Sequence, residues 1–164
     1  MSFWLMKSEP DVFSIDDLKK ARVTGWEGVR NFQARNYMRD SMKEGELVLF
    51  YHSNGDPSGV AGVAKVHGAP IPDPTQFQKK HEYYDATSPK DDPRWMMRQV
   101  EFVERFDAVI PLEVLKADPK LSGMPLLQKG QRLSVQTVTP AHFARVLELA
   151  KSKTQVVKKG VSPS

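Results

Sequence analysis

The stretch with the densest hydrogen-bonding chemistry runs from Gly28 to Met38, GVRNFQARNYM, where Arg-Asn occurs twice, five positions apart, with Gln33 between. Its two guanidinium forks and three amides can read the edge of a planar ring or hold a phosphate in two-point contact. Arg30, Asn31, Gln33, Arg35 and Asn36 are therefore candidate ligand contacts. Trp26, Tyr51 and Trp95 add flat apolar faces on which such a ring can stack. A Trp or Tyr on a strand usually serves the core. Trp26 is the exception, because a Trp set between Thr-Gly and Glu-Gly is expected in a loop, outside the core.

Other chemistries find less support. The chain has no cysteine, which removes disulfides, thiolate metal sites and a Cys nucleophile, and fits a reducing compartment. The four histidines are scattered, and the one local cluster, His81-Glu82 with Asp85, reads as a solvated loop. There is no GxSxG elbow, Walker A loop or GxGxxG. His52 and Ser53 are neighbours on an extended segment, so their side chains point to opposite faces. The expectation is a binding protein with no catalytic residue, metal or cofactor.

The elements that must position these residues follow from periodicity and caps. FWLMKSE is a strand, and Ser14 with Asp17 is a capping-box start for a short helix through Ala21 that buries Ile15 and Leu18. Asn31 can cap a helix to about Met42, with Ala34, Met38 and Met42 on its core side and Arg35, Arg39 and Lys43 in a parallel basic row. ELVLFYH (46–52) and VAGVAKV (60–66) read as paired strands, the glycines of the second implying close backbone approach or a bulge. Residues 68–94 form a proline-rich excursion whose aromatics, Phe77, Tyr83 and Tyr84, favour order. A strand from Trp95 to Phe106, a short helix at PLEVLKAD, a strand at RLSVQTV (132–138) and a helix opened by Thr139-Pro140 complete the chain. With no βαβ alternation, the expected architecture is α+β: a small curled β-barrel of about five strands with short flanking helices.

The 164 residues suit one domain, expected over residues 1–150. The formal net charge of +4 sits entirely in residues 151–164, which hold four lysines and no acid. That segment is expected to be a disordered basic tail that touches phosphates without reading sequence, while the neutral body contacts nucleic acid through a local pocket. No run of 18 apolar residues and no signal-peptide pattern occurs, so a soluble cytoplasmic protein, outside the membrane, is expected.

Five ordered motifs carry a resemblance: KSEP from Lys7, W-x-GVRN-x-QARN from Trp26 to Asn36, FYHSN from Phe50 to Asn54, P-x-W ending at Trp95, and RLSVQ from Arg132 to Gln136. Together they resemble the EVE domain, and more closely the thymocyte nuclear protein family with its bacterial relatives, over residues 3 to about 150. The resemblance implies a PUA-like fold and binding of a modified base, methylated or hydroxymethylated cytosine, in DNA or RNA by a monomer. It implies a bacterial cytoplasmic origin for a chain that starts at its first strand, or a nuclear address in a eukaryote. Carried onto this sequence, it implies a pocket where KSEP, GVRN, FYHS and RLS meet. Trp26 and Tyr51 are expected as stacking faces closed by Trp95, with Asn31, Ser53 and Ser134 at the base edge. Lys7, Arg30 and Arg35 are expected at flanking phosphates, with Ser8, Gln33, Asn36, His52 and Arg132 in the same lining. The alternative from another class is a hydrolase acting on RNA or a modified nucleoside, as in ASCH-type relatives, with Lys7 or Glu9 as base. The GxKxxExR pattern of that group is absent.

Overall fold

The computed structural model describes residues 1–156. Six strands, β1 (Phe3–Ser8), β2 (Val23–Gly25), β3 (Leu47–His52), β4 (Gly59–Pro72), β5 (Met96–Pro111) and β6 (Val135–Val138), form one sheet in the order β2-β5-β4-β3-β1-β6. β1 and β3 run parallel and every other pairing is antiparallel. The sheet is α+β and curled, as expected, but it has six strands rather than about five, and its edges β2 and β6 do not pair to close a barrel.

The curl comes from the long β4–β5 ribbon, whose register shifts at three places, because each bulge bends its strand and sharpens the twist. One shift lies at Gly62, where a Cβ would collide with the Glu104 carbonyl and the Ile15 side chain. The close approach expected of VAGVAKV is therefore real. Alternation along β1 and β3 splits the core. Trp4, Met6 and Phe50 face one side, with α1 (Ile15–Ala21) and α2 (Phe32–Asn36). Phe3, Leu5, Leu49 and Tyr51 face the other, with α3 (Leu112–Ala117) and α4 (Pro140–Leu149).

The local signals produce the helices they specify. At α1, Asp17 N–H donates to Ser14 Oγ at 3.1 Å and Ser14 N–H to the Asp17 carboxylate at 2.8 Å, and Ile15 and Leu18 are buried. At α4, Thr139 Oγ1 accepts from His142 N–H ahead of a first turn that carries Pro140. The helix expected from Asn31 to Met42 changes character at Tyr37, where residues Tyr37–Ser41 form a π turn and Met42 N–H reaches the Tyr37 carbonyl at 2.8 Å. In an α-helix every fourth residue drifts about 40° around the axis. The wider turn removes that drift and keeps Ala34, Met38 and Met42 all in the core.

The excursion is ordered from within. Gln76, fully buried, donates its amide to the carbonyls of Asp73 and Trp95 and accepts from Ser88 Oγ and Trp95 N–H. β6 begins at Val135, three residues later than RLSVQTV predicts, because Leu133 is drawn into side-chain bonds with Gln131 and Gln136 that compete with the strand ladder. The segment expected to hang free from Lys151 is held over its described part. Glu104 accepts from Ser152 Oγ, from Thr154 Oγ1 and from the N–H groups of Lys153 and Thr154, and Val156 packs on the second core. The expected tail residues 157–164, with Lys158 and Lys159, lie outside the described residues.

Candidate functional site

The parallel strands β1 and β3 end side by side, pairing Lys7 with Tyr51 and Ser8 with His52. Ser53 N–H donates to the Ser8 carbonyl at 3.0 Å, and Lys7 N–H to the Ser134 carbonyl at 2.9 Å. KSEP, FYHS and RLS therefore meet through their backbones, while among the described residues no hydrogen bond joins GVRN, the fourth motif expected there, to them. Within this group the side chains divide. Ser8 Oγ donates to the Phe13 carbonyl at 2.6 Å and His52 Nε2 accepts from Ile15 N–H at 3.1 Å, so both are engaged in seating α1. Burial lowers the His52 pKa, which favours the neutral ring this bond requires.

Lys7 is different. It lies partly buried with its Nζ 5.8 Å from the Tyr51 ring centroid, and burial pushes its pKa below that of an ordinary lysine with no carboxylate to offset the shift. Tyr51 is itself buried, which raises its pKa. Among the described residues the Ser53 and Ser134 hydroxyls make no protein hydrogen bond, and Arg132 is exposed nearby in sequence. An unpaired cation beside unspent hydroxyls is arranged to receive an anionic, hydrogen-bonding ligand.

The GVRN side is built against the excursion. Gly28 N–H and Arg30 Nη1 both reach Asp73 Oδ2, at 2.7 and 3.1 Å, while Arg30 Nη2 donates to Thr75 Oγ1 and to the Tyr83 carbonyl. Gly28 sits at φ +83° against the Tyr83 ring, where a Cβ would clash, so glycine is required there. Burial opposes the charge on Asp73, but bonds from Thr75, Gly28 and Arg30 outweigh it and hold the pKa below the usual carboxylate range. Arg30, expected at a phosphate, is thus committed to a buried carboxylate and lies 5.2 Å from the Trp95 ring.

Asn31 caps α2, its Oδ1 accepting from Ala34 N–H at 3.0 Å, and its amide NH2 has no protein acceptor among the described residues. Gln33 donates to the Tyr37 hydroxyl. Arg35 donates to Asn36 Oδ1 through Nε and Nη2 and to the Arg94 carbonyl through Nη1. Trp95 is buried, its indole N–H donating to Asp85 at 2.8 Å, and its ring stacks on Phe32 at 5.0 Å.

Trp26 departs from expectation: it is core. It is 8% exposed, packs edge-on to Phe50 at 5.4 Å, and is tied by its N–H to the Arg98 carbonyl. Thr24 and Gly25, expected as loop with Trp26, belong to the edge strand β2 on β5, and this pairing lays Trp26 onto the sheet. Tyr51 follows Phe50 on β3 and packs into the opposite core, so Trp26 and Tyr51 do not face one another across a single ring. Three groups escaped the sequence reading. Asp73 and Gln76 lay hidden among prolines and carried no local signal. Phe32 did have one: two residues before Ala34, it must point away from the helix face that Ala34, Met38 and Met42 share.

Among the described residues no group of three or more His, Asp or Glu is placed to hold a metal ion, and no helix is long and apolar enough to cross a membrane. The EVE domain profile matches residues 2–149, which take in all the candidate residues described. The chain belongs to the EVE domain family. This EVE domain is 45% identical to thymocyte nuclear protein 1 of Homo sapiens over 166 residues, covering 90% of the chain and 73% of that relative. Among solved structures it is similar to the human THYN1 protein in complex with DNA containing 5-methylcytosine, with TM-score 0.85, 42% identity and coverage of 94% and 100% of the two chains. It is also similar to a protein from Pseudomonas syringae, with TM-score 0.86, 43% identity and coverage of 90% and 99%. The fold is the PUA-like sheet of these EVE domains.

Proposed function

We propose that this EVE domain binds a modified cytosine in DNA without transforming it, using the strand-end group around Lys7. One observation carries the reading: a solved relative matched along its whole length is in complex with DNA containing 5-methylcytosine. The geometry supports the location. Lys7 is a partly buried cation without a carboxylate partner among the described residues, suited to a phosphate, and the Ser53 and Ser134 hydroxyls are the donors left for a base edge. A binding role rather than turnover is supported by the surroundings of Lys7 and His52: one lacks a charged partner, and the other is occupied by a backbone N–H.

Taking a base out of a strand costs a few kcal/mol and stacking returns about 1 to 3 kcal/mol, so single-stranded or weakened sites should bind best. A buried methyl adds only about 0.8 kcal/mol, roughly fourfold, and stronger preference requires a polar group left unpaired when the modification is absent. The test is titration of short single- and double-stranded oligonucleotides carrying one cytosine, 5-methylcytosine or 5-hydroxymethylcytosine, as DNA and as RNA. Tighter binding of a modified strand is expected, with the substrate recovered unchanged. Equal affinity for all three bases, or release of a modified product, would overturn the reading.

A further inference from the structure

We infer that the outer face of Phe32 is a separate stacking platform for an ordinary, unmodified base of the bound strand, with Arg35 at that base's phosphate; this rests on the reading of the domain as a nucleic-acid binder. Phe32 is the first residue of α2 and follows the Asn31 cap directly. It is 54% exposed, although it is a large apolar side chain. Its inner face is occupied: the ring stacks on Trp95 with centroids 5.0 Å apart and planes 21° from parallel. Trp95 is fixed in turn by Asp85 at its indole N–H and by Gln76 at its backbone N–H and carbonyl. The platform therefore stands on a rigid base.

The exposure belongs to the outer face, and the distances show that Arg35 is not centred over it. Arg35 lies 4.8 Å from the Phe32 centroid and 6.0 Å from that of Trp95. A guanidinium on the far side of Phe32 would be separated from Trp95 by close to the sum of the two stacking distances. Arg35 instead completes a nearly equilateral triangle, so it stands beside the ring pair. There it has no carboxylate in ion-pair contact among the described residues; burial and the like charges of Arg39 and Arg94 outweigh the opposite charge of Asp40 and lower its pKa. A single flat apolar face beside a guanidinium whose acceptors, Asn36 Oδ1 and the Arg94 carbonyl, are neutral fits a nucleobase with its phosphate. It does not fit an apolar protein surface, which would need a continuous patch.

The test uses the full chain with Phe32→Ala, Phe32→Leu and Phe32→Tyr. Leu keeps apolar bulk without an aromatic face, and Tyr keeps the face. Short single strands with one central 5-methylcytosine or cytosine are titrated, each also made with an abasic residue at each other position in turn. The expected result is about a 5- to 100-fold loss for Ala and Leu, wild-type affinity for Tyr, and no change in the ratio between methylated and unmethylated strands. The loss should disappear when the base at one of these positions is abasic. Leu or Ala binding as tightly as Phe, or a loss that persists on every abasic strand, would overturn the inference. A wild type that shows no methyl preference yet loses affinity with Leu would overturn the proposed function and leave the platform standing. A methyl preference with no Phe32 effect would do the reverse.

Discussion

Two clusters, one around Trp95 and one at the ends of β1 and β3, each hold a cation beside an aromatic ring yet are built on opposite terms. Around Trp95, Arg30 and Trp95 itself are saturated: Asp73, Thr75, Tyr83, Asp85 and Gln76 absorb their donors. At the strand ends, Lys7 is partly buried with no carboxylate, and the Ser53 and Ser134 hydroxyls are unspent. The difference teaches that a cation or an aromatic near a candidate pocket identifies a ligand contact only when its partners have been counted. A saturated guanidinium is a strut. An unsaturated one is a site, because the energy of burying its charge has not been offset within the protein.

The largest test of that division is Trp26→Ala. As a core residue packed on Phe50, its removal should cost about 3 to 5 kcal/mol of stability by urea unfolding, while the protein still folded keeps its ligand preference. A stable variant with lost binding would return Trp26 to the site. Next is Asp73→Ala, which strands the Arg30 charge and the Gly28 N–H; because Arg30 is partly exposed, about 3 kcal/mol, the low end for a broken buried pair, is expected. If thermal and urea unfolding were unmoved, the strut reading would fail.

Lys7→Met reverses the pattern. It removes an unpaired, partly buried charge, so stability should hold or rise, while oligonucleotide affinity should drop about tenfold, as for a lost charged hydrogen bond. Loss of stability with unchanged affinity would move Lys7 to the saturated class. The smallest effect is in acid. Hydrogen bonds from Thr87 and Trp95 hold the Asp85 pKa down to about 2 from the ordinary 3.8. Its contribution to stability is therefore full above pH 3.8 and is lost as the pH falls through about 2. Asp85→Asn should give a shallower loss of stability over that interval, read from unfolding midpoints at its two ends. Identical slopes would show that Asp85 does not hold Trp95 through its charge.

Much of this was legible in the chain as written. The Ser14–Asp17 box, the Asn31 and Thr139 caps and the Ala34-Met38-Met42 face depend on residues within one or two turns, and local bonds form them whatever surrounds them. The ordered motifs carried the family, and with it the meeting of KSEP, FYHS and RLS, since parallel β1 and β3 bring those strand ends together. Only the tertiary structure decided that Trp26 is core, that the sheet stays open at six strands, that a π turn follows α2, and which donors are spent. The reason is sequence distance. Arg30 finds Asp73 43 positions away and Arg35 finds the Arg94 carbonyl 59 positions away, and no local pattern foretells which long-range partner will reach a side chain first.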